Sequence, residues 1–220
     1  NLKKLNYQQS LIEPVRDFFD RFGIKIASIL LLIVATYRLT DIVMGPMANP
    51  FYIDMGYSLS EIGYVVKIVA LIATIIGVFV GGIFIKRLGL YHSLLLGAFL
   101  VMVTNLCFSY ASISDKNLFL LASIVASDSF AAGIVGTVNI TFLTSLVSKK
   151  YPGFQYALLT SLMAFLGKVF GGFSGIFVEN FQLIYGFNYG WMSFYIFTSM
   201  LAIPAIIMIV LNKNFFLSQR

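Results

Sequence analysis

Long apolar stretches alternate with short polar or charged ones along almost the whole chain. A helix needs about 20 apolar residues to cross a hydrocarbon core about 30 Å thick. Because lipid offers the backbone no water, stretches of this length form helices rather than open strands. The pattern predicts an all-α, polytopic membrane bundle of six transmembrane helices, over residues 26–50, 62–85, 93–111, 118–147, 156–178 and 192–211.

Lysines and arginines fall on one side of this predicted bundle. Of the fifteen, one lies on the other side, Lys116, and three lie inside spans. Cytoplasmic loops carry such an excess of basic residues, so both termini are predicted to be cytoplasmic. This placement accounts for the net charge of +6 without nucleic acid as a partner. The basic side holds Lys3, Lys4, Arg16, Arg21, Lys25, Lys86, Arg87, Lys149, Lys150, Lys213 and Arg220.

The first 25 residues mix charged and apolar positions. Apolar residues there recur at helical spacing, namely Leu11, Val15, Phe18, Phe19 and Phe22. This spacing favours an amphipathic interfacial helix, with a solvated linker as the alternative. We therefore expect a cytoplasmic linker over residues 1–25 and a six-helix transmembrane unit over residues 26–220.

The composition agrees with a membrane protein: 59% of residues are hydrophobic and 11% are charged, against about 25% charged in soluble domains. The single cysteine, Cys107, cannot form an internal disulfide. The single histidine, His92, leaves too few ligands for a zinc or haem site, and we expect no metal or other cofactor. Since the chain begins with Asn1 and shows no signal-peptide pattern, we expect a fragment or a processed form.

Five ionisable residues lie inside the predicted spans: Arg38, Asp41, Lys67, Asp128 and Lys168. Each costs about 2.5–3.5 kcal/mol at the centre of a membrane helix, so such groups normally face a bundle interior or a wet cavity. Arg38, Asp128 and Lys168 lie about 15–18 Å along their helices, near mid-depth. Lys67 lies near the outer end of its helix, where snorkelling to the interface is the alternative to substrate contact.

The two carboxylates differ in their neighbours. Asp41 is three residues from Arg38, so the two side chains could simply neutralise each other. Asp128 has no charged residue within one helical turn. Its negative charge must therefore be compensated by a group on another helix, by water or by a bound proton. Burial favours the neutral carboxyl and a nearby cation favours the ionised one, so Asp128 is the first candidate for a proton carrier.

Several glycines and two prolines lie within the predicted spans. The glycines predict close helix packing, with a polar cavity lining as the alternative. Pro46 and Pro50 are predicted to end the first helix or to bend its outer end. The glycines are Gly77, Gly81, Gly133, Gly167, Gly171 and Gly175.

One short motif raises an enzymatic alternative. Gly172-Phe-Ser-Gly175 matches the G-x-S-G pattern of rhomboid-type intramembrane serine proteases. Ser174 lies about 27 Å along a helix that begins on the cytoplasmic side, whereas His92 lies in a cytoplasmic loop. A nucleophile and its base must come within about 3 Å, so we do not expect an enzyme.

Several segments are familiar: Pro14-Val-Arg-Asp-Phe-Phe19, Tyr37-Arg-Leu-Thr-Asp41, Gly63-Tyr-Val-Val-Lys67, Ala73-Thr-Ile-Ile-Gly77, Phe154-Gln-Tyr-Ala-Leu-Leu-Thr-Ser161 and Gly167-Lys-Val-Phe-Gly-Gly172. They resemble the C-terminal half of AmpG-type muropeptide permeases, which belong to the major facilitator superfamily. The resemblance covers residues 14–211, and acetyl-CoA transporters share part of the Gln-Tyr-Ala-Leu stretch. Gly82-Ile-Phe-Ile-Lys-Arg-Leu-Gly89 is similar to a cytoplasmic loop of the superfamily but lacks its acidic residue.

The resemblance implies one half of a twelve-helix secondary transporter, with its substrate site at mid-membrane between the halves. It implies that anhydromuropeptides enter across the bacterial inner membrane by proton symport, for cell-wall recycling. Asp128 and Asp41 would couple protons, and Arg38, Lys67 and Lys168 would bind substrate carboxylates. The expected partners are this substrate, protons, the lipid bilayer and a second six-helix half. A transport-inactive remnant, an accessory membrane protein, or a transporter of another anion such as acetyl-CoA are the alternatives.

Overall fold

The computed structural model describes residues 7–217, and over that range the regular structure is helical, with no strand. Three of the basic residues counted above, Lys3, Lys4 and Arg220, lie outside the described residues. The elements are α1 (Tyr7–Thr36), α2 (Leu39–Asp54), α3 (Leu59–Tyr64), a π-helical turn (Val65–Val69), α4 (Ala70–Ala111), α5 (Leu118–Leu146), α6 (Pro152–Gly172), α7 (Ser174–Tyr185), α8 (Phe187–Met200), α9 (Ile203–Leu211) and α10 (Lys213–Leu217).

Within residues 7–217, five helical segments are long and apolar enough to cross a membrane. The predicted all-α, polytopic membrane bundle is therefore confirmed. The second segment has 53 residues and contains two predicted spans, 62–85 and 93–111. The segments are Leu11–Asp54, Leu59–Ala111, Leu118–Leu146, Pro152–Tyr185 and Phe187–Leu211.

Gly89 reverses the chain within α4. Its φ of 78° and ψ of 168° are not helical, and glycine adopts them without steric cost. A Cβ atom on Gly81 would lie 3.0 Å from Cα of Ile134, and one on Gly97 would lie 3.1 Å from the side chain of Val135. In a straight helix Gly81 and Gly97 would be about 24 Å apart, yet both contact neighbouring residues of α5. The second segment therefore crosses the bundle twice, which gives six crossings in the described chain.

The basic segments meet at one end of the bundle, which we call the basic end. The ring of Phe22, beside Arg21, packs edge-to-face on Phe215 with centroids 5.7 Å apart. Tyr91, just after the chain reversal, and Phe142, near the end of α5, pack on the neighbouring Phe216 at 6.2 and 5.8 Å. The N-terminal segment, the loop after the second span and the C-terminal helix therefore share one side, as the charge pattern requires.

The loops of the opposite end contact one another as well, and we call it the Lys116 end. The Tyr57 hydroxyl donates to the Asn117 carbonyl oxygen at 3.0 Å. Lys116 forms a 3.0 Å ion pair with Glu61. These contacts join the loop between the first two spans to the loop before α5.

The N-terminal part of α1 packs on the bundle rather than standing apart from it. Gly23, with φ 72° and ψ 154°, breaks α1 after Phe22. Phe18 is buried, and Phe19 and Phe22 pack against the core, while Leu11 is exposed. The aromatic face of the predicted interfacial helix therefore faces protein. The domain boundary at residue 25 stays a prediction.

The prediction that Pro46 and Pro50 end the first helix was wrong, because α2 continues through both to Asp54. The alternative, a bend at the outer end of this helix, stays a prediction. Proline lacks the N–H group that would bond the carbonyl four residues earlier, so Pro46 leaves the Ile42 oxygen free of that bond. Membrane helices tolerate this loss where a neighbouring helix packs closely. Gly171 of α6 does so, since a Cβ atom there would lie 2.9 Å from the Ile42 oxygen.

The predicted glycine packing is confirmed for α4 against α5. A Cβ atom on Gly77 would collide with the Phe130 carbonyl oxygen, and one on Gly133 would lie 2.9 Å from the Val78 nitrogen. The backbones of the two helices therefore touch directly. Gly175 is different, since a Cβ atom there would meet little beyond a methionine side chain 3.9 Å away.

The buried core consists of two apolar clusters stacked along the bundle. The basic-end cluster joins α1, α4, α5 and α9 through residues such as Leu30, Ile134 and Ile209. The aromatic cluster lies towards the Lys116 end and includes Phe51 and Trp191. The boundary between the two clusters positions the candidate site.

Candidate functional site: a polar layer at mid-bundle

Polar side chains lie between the two apolar clusters. On α5, Asp128 lies between Val125 of the aromatic cluster and Ala131 of the basic-end cluster. The same change from one cluster to the other occurs on the other spans that contribute to this layer. Its members, which we call the polar layer, are Arg38, Asp41, Thr104, Asn105, Asp128, Thr198 and Ser199.

Hydrogen bonds connect the layer across three helices. The Thr104 hydroxyl of α4 donates to Oδ1 of Asp128 at 2.9 Å. From α8, the Thr198 hydroxyl lies 3.5 Å from Oδ1 of Asn105, and Ser199 donates to a backbone oxygen of α4 at 3.1 Å. Buried polar groups are costly unless they are bonded, so these contacts fix the relative positions of α4, α5 and α8.

Asp128 lies within the continuous helix α5. The Asn117 side chain caps α5 by accepting from the amides of Phe119 and Leu120 at 2.9 and 3.2 Å. Asp128 follows about 15 Å along the helix. Among the described residues its carboxylate has a hydroxyl partner, Thr104, and no ion-pair partner. Asp41 is the second carboxylate of this layer.

The first span is interrupted at the depth of this layer. α1 ends at Thr36 and α2 begins at Leu39. The intervening Tyr37 is anchored, because its hydroxyl donates to the Leu94 carbonyl oxygen at 3.1 Å. Arg38 is the N-cap residue of α2 and has no helical conformation, with φ −106° and ψ 9°. No sequence signal marked this position, since proline and glycine are absent from it.

Arg38 and Asp41 form a long ion pair at this interruption. Nη2 of Arg38 lies 3.5 Å from Oδ2 of Asp41, and the two side chains are 31% and 19% exposed. Asp41 lies in the first turn of α2, where a negative charge is favoured by the helix dipole. The Arg38 Nε is buried without a hydrogen-bond partner in the part of the chain that the structure describes. The mutual neutralisation considered for this pair is therefore present but incomplete.

The two candidate lysines lie on the surface of this chain. Lys67 is the central residue of the π-helical turn and is exposed. Lys168 is also exposed, and it follows Gly167, which packs against the Ile42 side chain next to Asp41. Lys168 is therefore at the depth of the polar layer. Neither lysine has an ion-pair partner among residues 7–217.

The protease motif is not assembled into a site. Ser174 is buried, and its hydroxyl donates to the Gly171 carbonyl oxygen at 2.5 Å. His92 is exposed beside the chain reversal at the basic end, with Nδ1 3.0 Å from the Leu88 oxygen. The Ser174 hydroxyl is therefore bonded to a nearby backbone oxygen, and His92 lies in another part of the bundle. The two side chains do not form a catalytic pair.

Sequence reasoning found the charged members of the layer and missed the neutral ones. Thr104 and Asn105 form a polar pair inside an apolar span, and Thr198 and Ser199 form another. A search for neutral polar pairs in spans would have found them. Tyr195, a further buried neighbour of the layer, carried no such signal, because aromatic residues are common throughout the spans.

Comparison with known proteins gives the family, although no family model matches the chain. The chain is 32% identical over 211 residues to "Putative transporter AmpG 4" of Rickettsia felis, covering 96% of this chain and 48% of that protein. It is also 32% identical over 209 residues to "Anhydromuropeptide permease" of Escherichia coli K12, covering 94% and 40%. The chain is homologous to these AmpG-type permeases over nearly all of its own length. It spans about half the length of the curated AmpG relatives that it matches. These relatives are named as transporters and permeases, and none of these names describes an enzyme.

Proposed function

We propose that this chain is one half, the C-terminal one, of a major facilitator transporter that imports anhydromuropeptides by proton symport for cell-wall recycling. One observation carries the proposal: Asp128 lies in the mid-bundle polar layer, bonded to Thr104 and without a cation among the described residues. Intramembrane carboxylates of this kind are typical of proton-coupled transport. The printed name of the E. coli relative supports the choice of substrate.

The proposed orientation places the basic end in the cytoplasm of a bacterial cell. The basic residues of the N-terminal segment and of two loops would then meet the anionic inner leaflet of the inner membrane, as the positive-inside rule requires. Both termini would be cytoplasmic. The Lys116 end would face outward, and solute would enter from that side.

In the proposed cycle Asp128 binds and releases a proton, and Asp41 responds to it. A buried carboxyl favours its neutral form until a cation approaches. The long Arg38–Asp41 contact of 3.5 Å leaves the arginine able to exchange partners. At a membrane potential of about 150 mV, one proton contributes about 3.5 kcal/mol, which supports a gradient of about a few hundredfold.

The proposed substrate contacts are made by Arg38, Lys67 and Lys168. Peptide carboxylates would bind these cations through charge-assisted hydrogen bonds, which are stronger than neutral ones. The exposure of Lys67 and Lys168 on this chain supports a role at the face that meets a second six-helix half. In this proposal the solute passes between that partner and the polar layer.

Uptake measurements test the proposal directly. Labelled anhydromuropeptide is offered to membrane vesicles that contain the chain with its complementary half, with and without a proton gradient. We expect Asp128→Asn to abolish gradient-driven uptake. Asp115→Asn is the matched control, since Asp115 is exposed in a loop at the Lys116 end, and uptake should be unchanged.

Three outcomes would count against the proposal in different ways. Uptake that survives both Asp128→Asn and collapse of the gradient would remove proton coupling. Uptake of acetyl-CoA or another anion in place of the muropeptide would replace the substrate. No uptake of any solute by a correctly inserted assembly would favour a transport-inactive remnant or an accessory protein.

A further inference from the structure

The structure places one further carboxylate inside a membrane-length segment. The sequence predicted that the fifth span ends at residue 178, but the apolar helical segment continues to Tyr185. Glu179 therefore lies within this segment, on α7. The residues one turn away from it in each direction, Ile176 and Leu183, are apolar and exposed. A charged group in such surroundings is costly in lipid and indicates a functional site.

The Glu179 carboxylate has no partner of its own. Its side chain is exposed and forms neither an ion pair nor a hydrogen bond within residues 7–217. Two other carboxylates of the Lys116 end differ in this respect. Glu61 is paired with Lys116, and Asp54 accepts from the Trp191 indole. The negative charge of Glu179 is therefore available to a cation from outside the described chain.

Glu179 lines a cavity of about 410 Å³ beside the turn between α7 and α8. A Cβ atom on Gly190 would lie 2.5 Å from Cα of Gln182, so the backbones of the two helices touch directly next to the cavity. Ligand pockets have volumes of about 300–1,000 Å³, and this cavity can hold one functional group of a solute. Its lining residues are Glu179, Gln182, Leu183 and Phe187.

Aromatic contacts also hold α7 against α8. The rings of Phe177 and Phe181 both pack on Phe197, with centroids 5.1 and 6.1 Å apart. Together with the contact at Gly190, they fix the helix on either side of Glu179. The carboxylate is therefore presented from a well-packed helix rather than from a loop.

Glu179 and Lys168 carry opposite charges on the same span. They are eleven residues apart, which corresponds to about three helical turns and about 16 Å along the span. Both side chains are exposed, and Lys168, like Glu179, has no ion-pair partner in the described chain. Lys168 is at the depth of the polar layer, and Glu179 is nearer to the Lys116 end. A solute beside this span would meet a cation near mid-depth and an anion further out.

We propose that the Glu179 cavity binds an ammonium group of the transported solute, while Lys168 binds a carboxylate of the same molecule. The ammonium group would donate charge-assisted hydrogen bonds to the Glu179 carboxylate. Leu183 and Phe187 would contact the aliphatic chain that carries it. The solute is therefore a dipolar, peptide-bearing molecule with a free amino group. This inference rests on the proposed transport function and adds an anionic subsite to it.

Two forms of one solute test the inference. Labelled anhydromuropeptide with a free amino group in its peptide is compared with the same compound after acetylation, which removes the positive charge. Binding is measured in vesicles that contain the chain with its complementary half. We expect Glu179→Gln to weaken binding of the free amine by about 10–100-fold, through loss of a charge-assisted hydrogen bond. The affinity for the acetylated form should be unchanged.

Two further variants separate the ammonium site from general effects of substitution. Asp115→Asn is the matched control, because Asp115 is an exposed carboxylate at the same end, and it should leave both affinities unchanged. Glu179→Lys should reverse the preference, so that the acetylated solute binds more tightly than the free amine. This reversal also supports the site if Glu179→Gln folds poorly.

Three results would overturn the ammonium site. An unchanged affinity for the free amine in Glu179→Gln would remove it, and so would equal losses for both forms of the solute. Weaker association with the complementary half, at unchanged solute affinity, would assign Glu179 to the interface between the halves instead. In all three cases the transport proposal stands. Failure of the unsubstituted assembly to bind either form would overturn both.

Discussion

The Arg21 guanidinium donates a 2.9 Å hydrogen bond to the side-chain oxygen of Gln155 and so fastens the N-terminal helix to the bundle. Arg21 also donates to the Leu146 carbonyl oxygen at the end of α5, at 3.0 Å. One arginine therefore joins α1, α5 and α6. This contact lies at the basic end, where the loop between the fourth and fifth spans closes.

The Gln155 amide uses its full hydrogen-bonding capacity. Its oxygen also accepts from the Ser148 amide at 2.7 Å, and its nitrogen donates to the Pro14 carbonyl oxygen and to Asp17 at 2.8 and 3.0 Å. The residue is 1% exposed. Because removal of a buried partner leaves several groups unsatisfied, the side chain of Gln155 has a larger effect than its size suggests.

Substitution of Gln155 by leucine should release the N-terminal helix. We expect local destabilisation by about 2 kcal/mol, which corresponds to about thirtyfold faster amide exchange in residues 11–22. Hydrogen exchange read by mass spectrometry measures this change. Gln182→Leu is the matched control, because the Gln182 nitrogen is buried without a partner in the described chain. Equal effects of the two substitutions would contradict the proposed role of the hydrogen bonds.

Gly133→Ala should loosen the contact between α4 and α5. Its new Cβ atom would lie 2.9 Å from the Val78 backbone nitrogen, and backbone cannot move aside as a flexible side chain can. We expect a loss of about 2 kcal/mol in the free energy of unfolding, measured by thermal unfolding in detergent. Gly136→Ala on the same helix meets nothing within 4 Å and should be neutral or stabilising by about 0.5–1 kcal/mol. A stable Gly133→Ala variant would show that the helices can separate freely.

Lys168→Met should weaken binding of an anionic solute. Loss of one charge-assisted hydrogen bond costs about 1.5–3 kcal/mol, or about 10–100-fold in affinity. The affinity is measured with labelled anhydromuropeptide in the same vesicles as the uptake. Lys213→Met removes an exposed lysine at the basic end and should have no effect.

Lys67→Met separates two interpretations of its position in the π-helical turn. If Lys67 contacts the solute, the affinity should fall as it does for Lys168→Met. If its ammonium group extends to the interface, the affinity should stay unchanged while insertion or thermal stability shifts slightly. The same binding assay, with a thermal unfolding curve for each variant, distinguishes the two results.

Most of the fold could be predicted from the sequence, because span length and charge placement depend on the bilayer and not on the tertiary contacts between helices. The six crossings and the common end of the basic loops both followed from these patterns. Helix boundaries were harder to predict. The helix α2 continues past Pro50, because Gly171 packs against the carbonyl group that Pro46 leaves unbonded. Such compensation by a partner helix leaves no local signal.

Only the charged members of the candidate site could be predicted from the sequence. Asp128 and Arg38 stood out because ions are costly in lipid. Their surroundings depend on which neutral residues meet across helices, and a single sequence does not specify these pairings. The contact of Thr104 with Asp128 is one such pairing, and only the structure shows it.

The interruption at Tyr37 and Arg38 divides the first span into two helices that pack in different apolar clusters. α1 packs within the basic-end cluster, and α2 packs within the aromatic cluster. The Tyr37 hydroxyl is hydrogen-bonded to the Leu94 carbonyl oxygen. The interruption is therefore held at Tyr37, and the charged Arg38 follows directly. Along this span, the change from one apolar cluster to the other therefore coincides with a charged pair, Arg38 and Asp41, whose contact is 3.5 Å long.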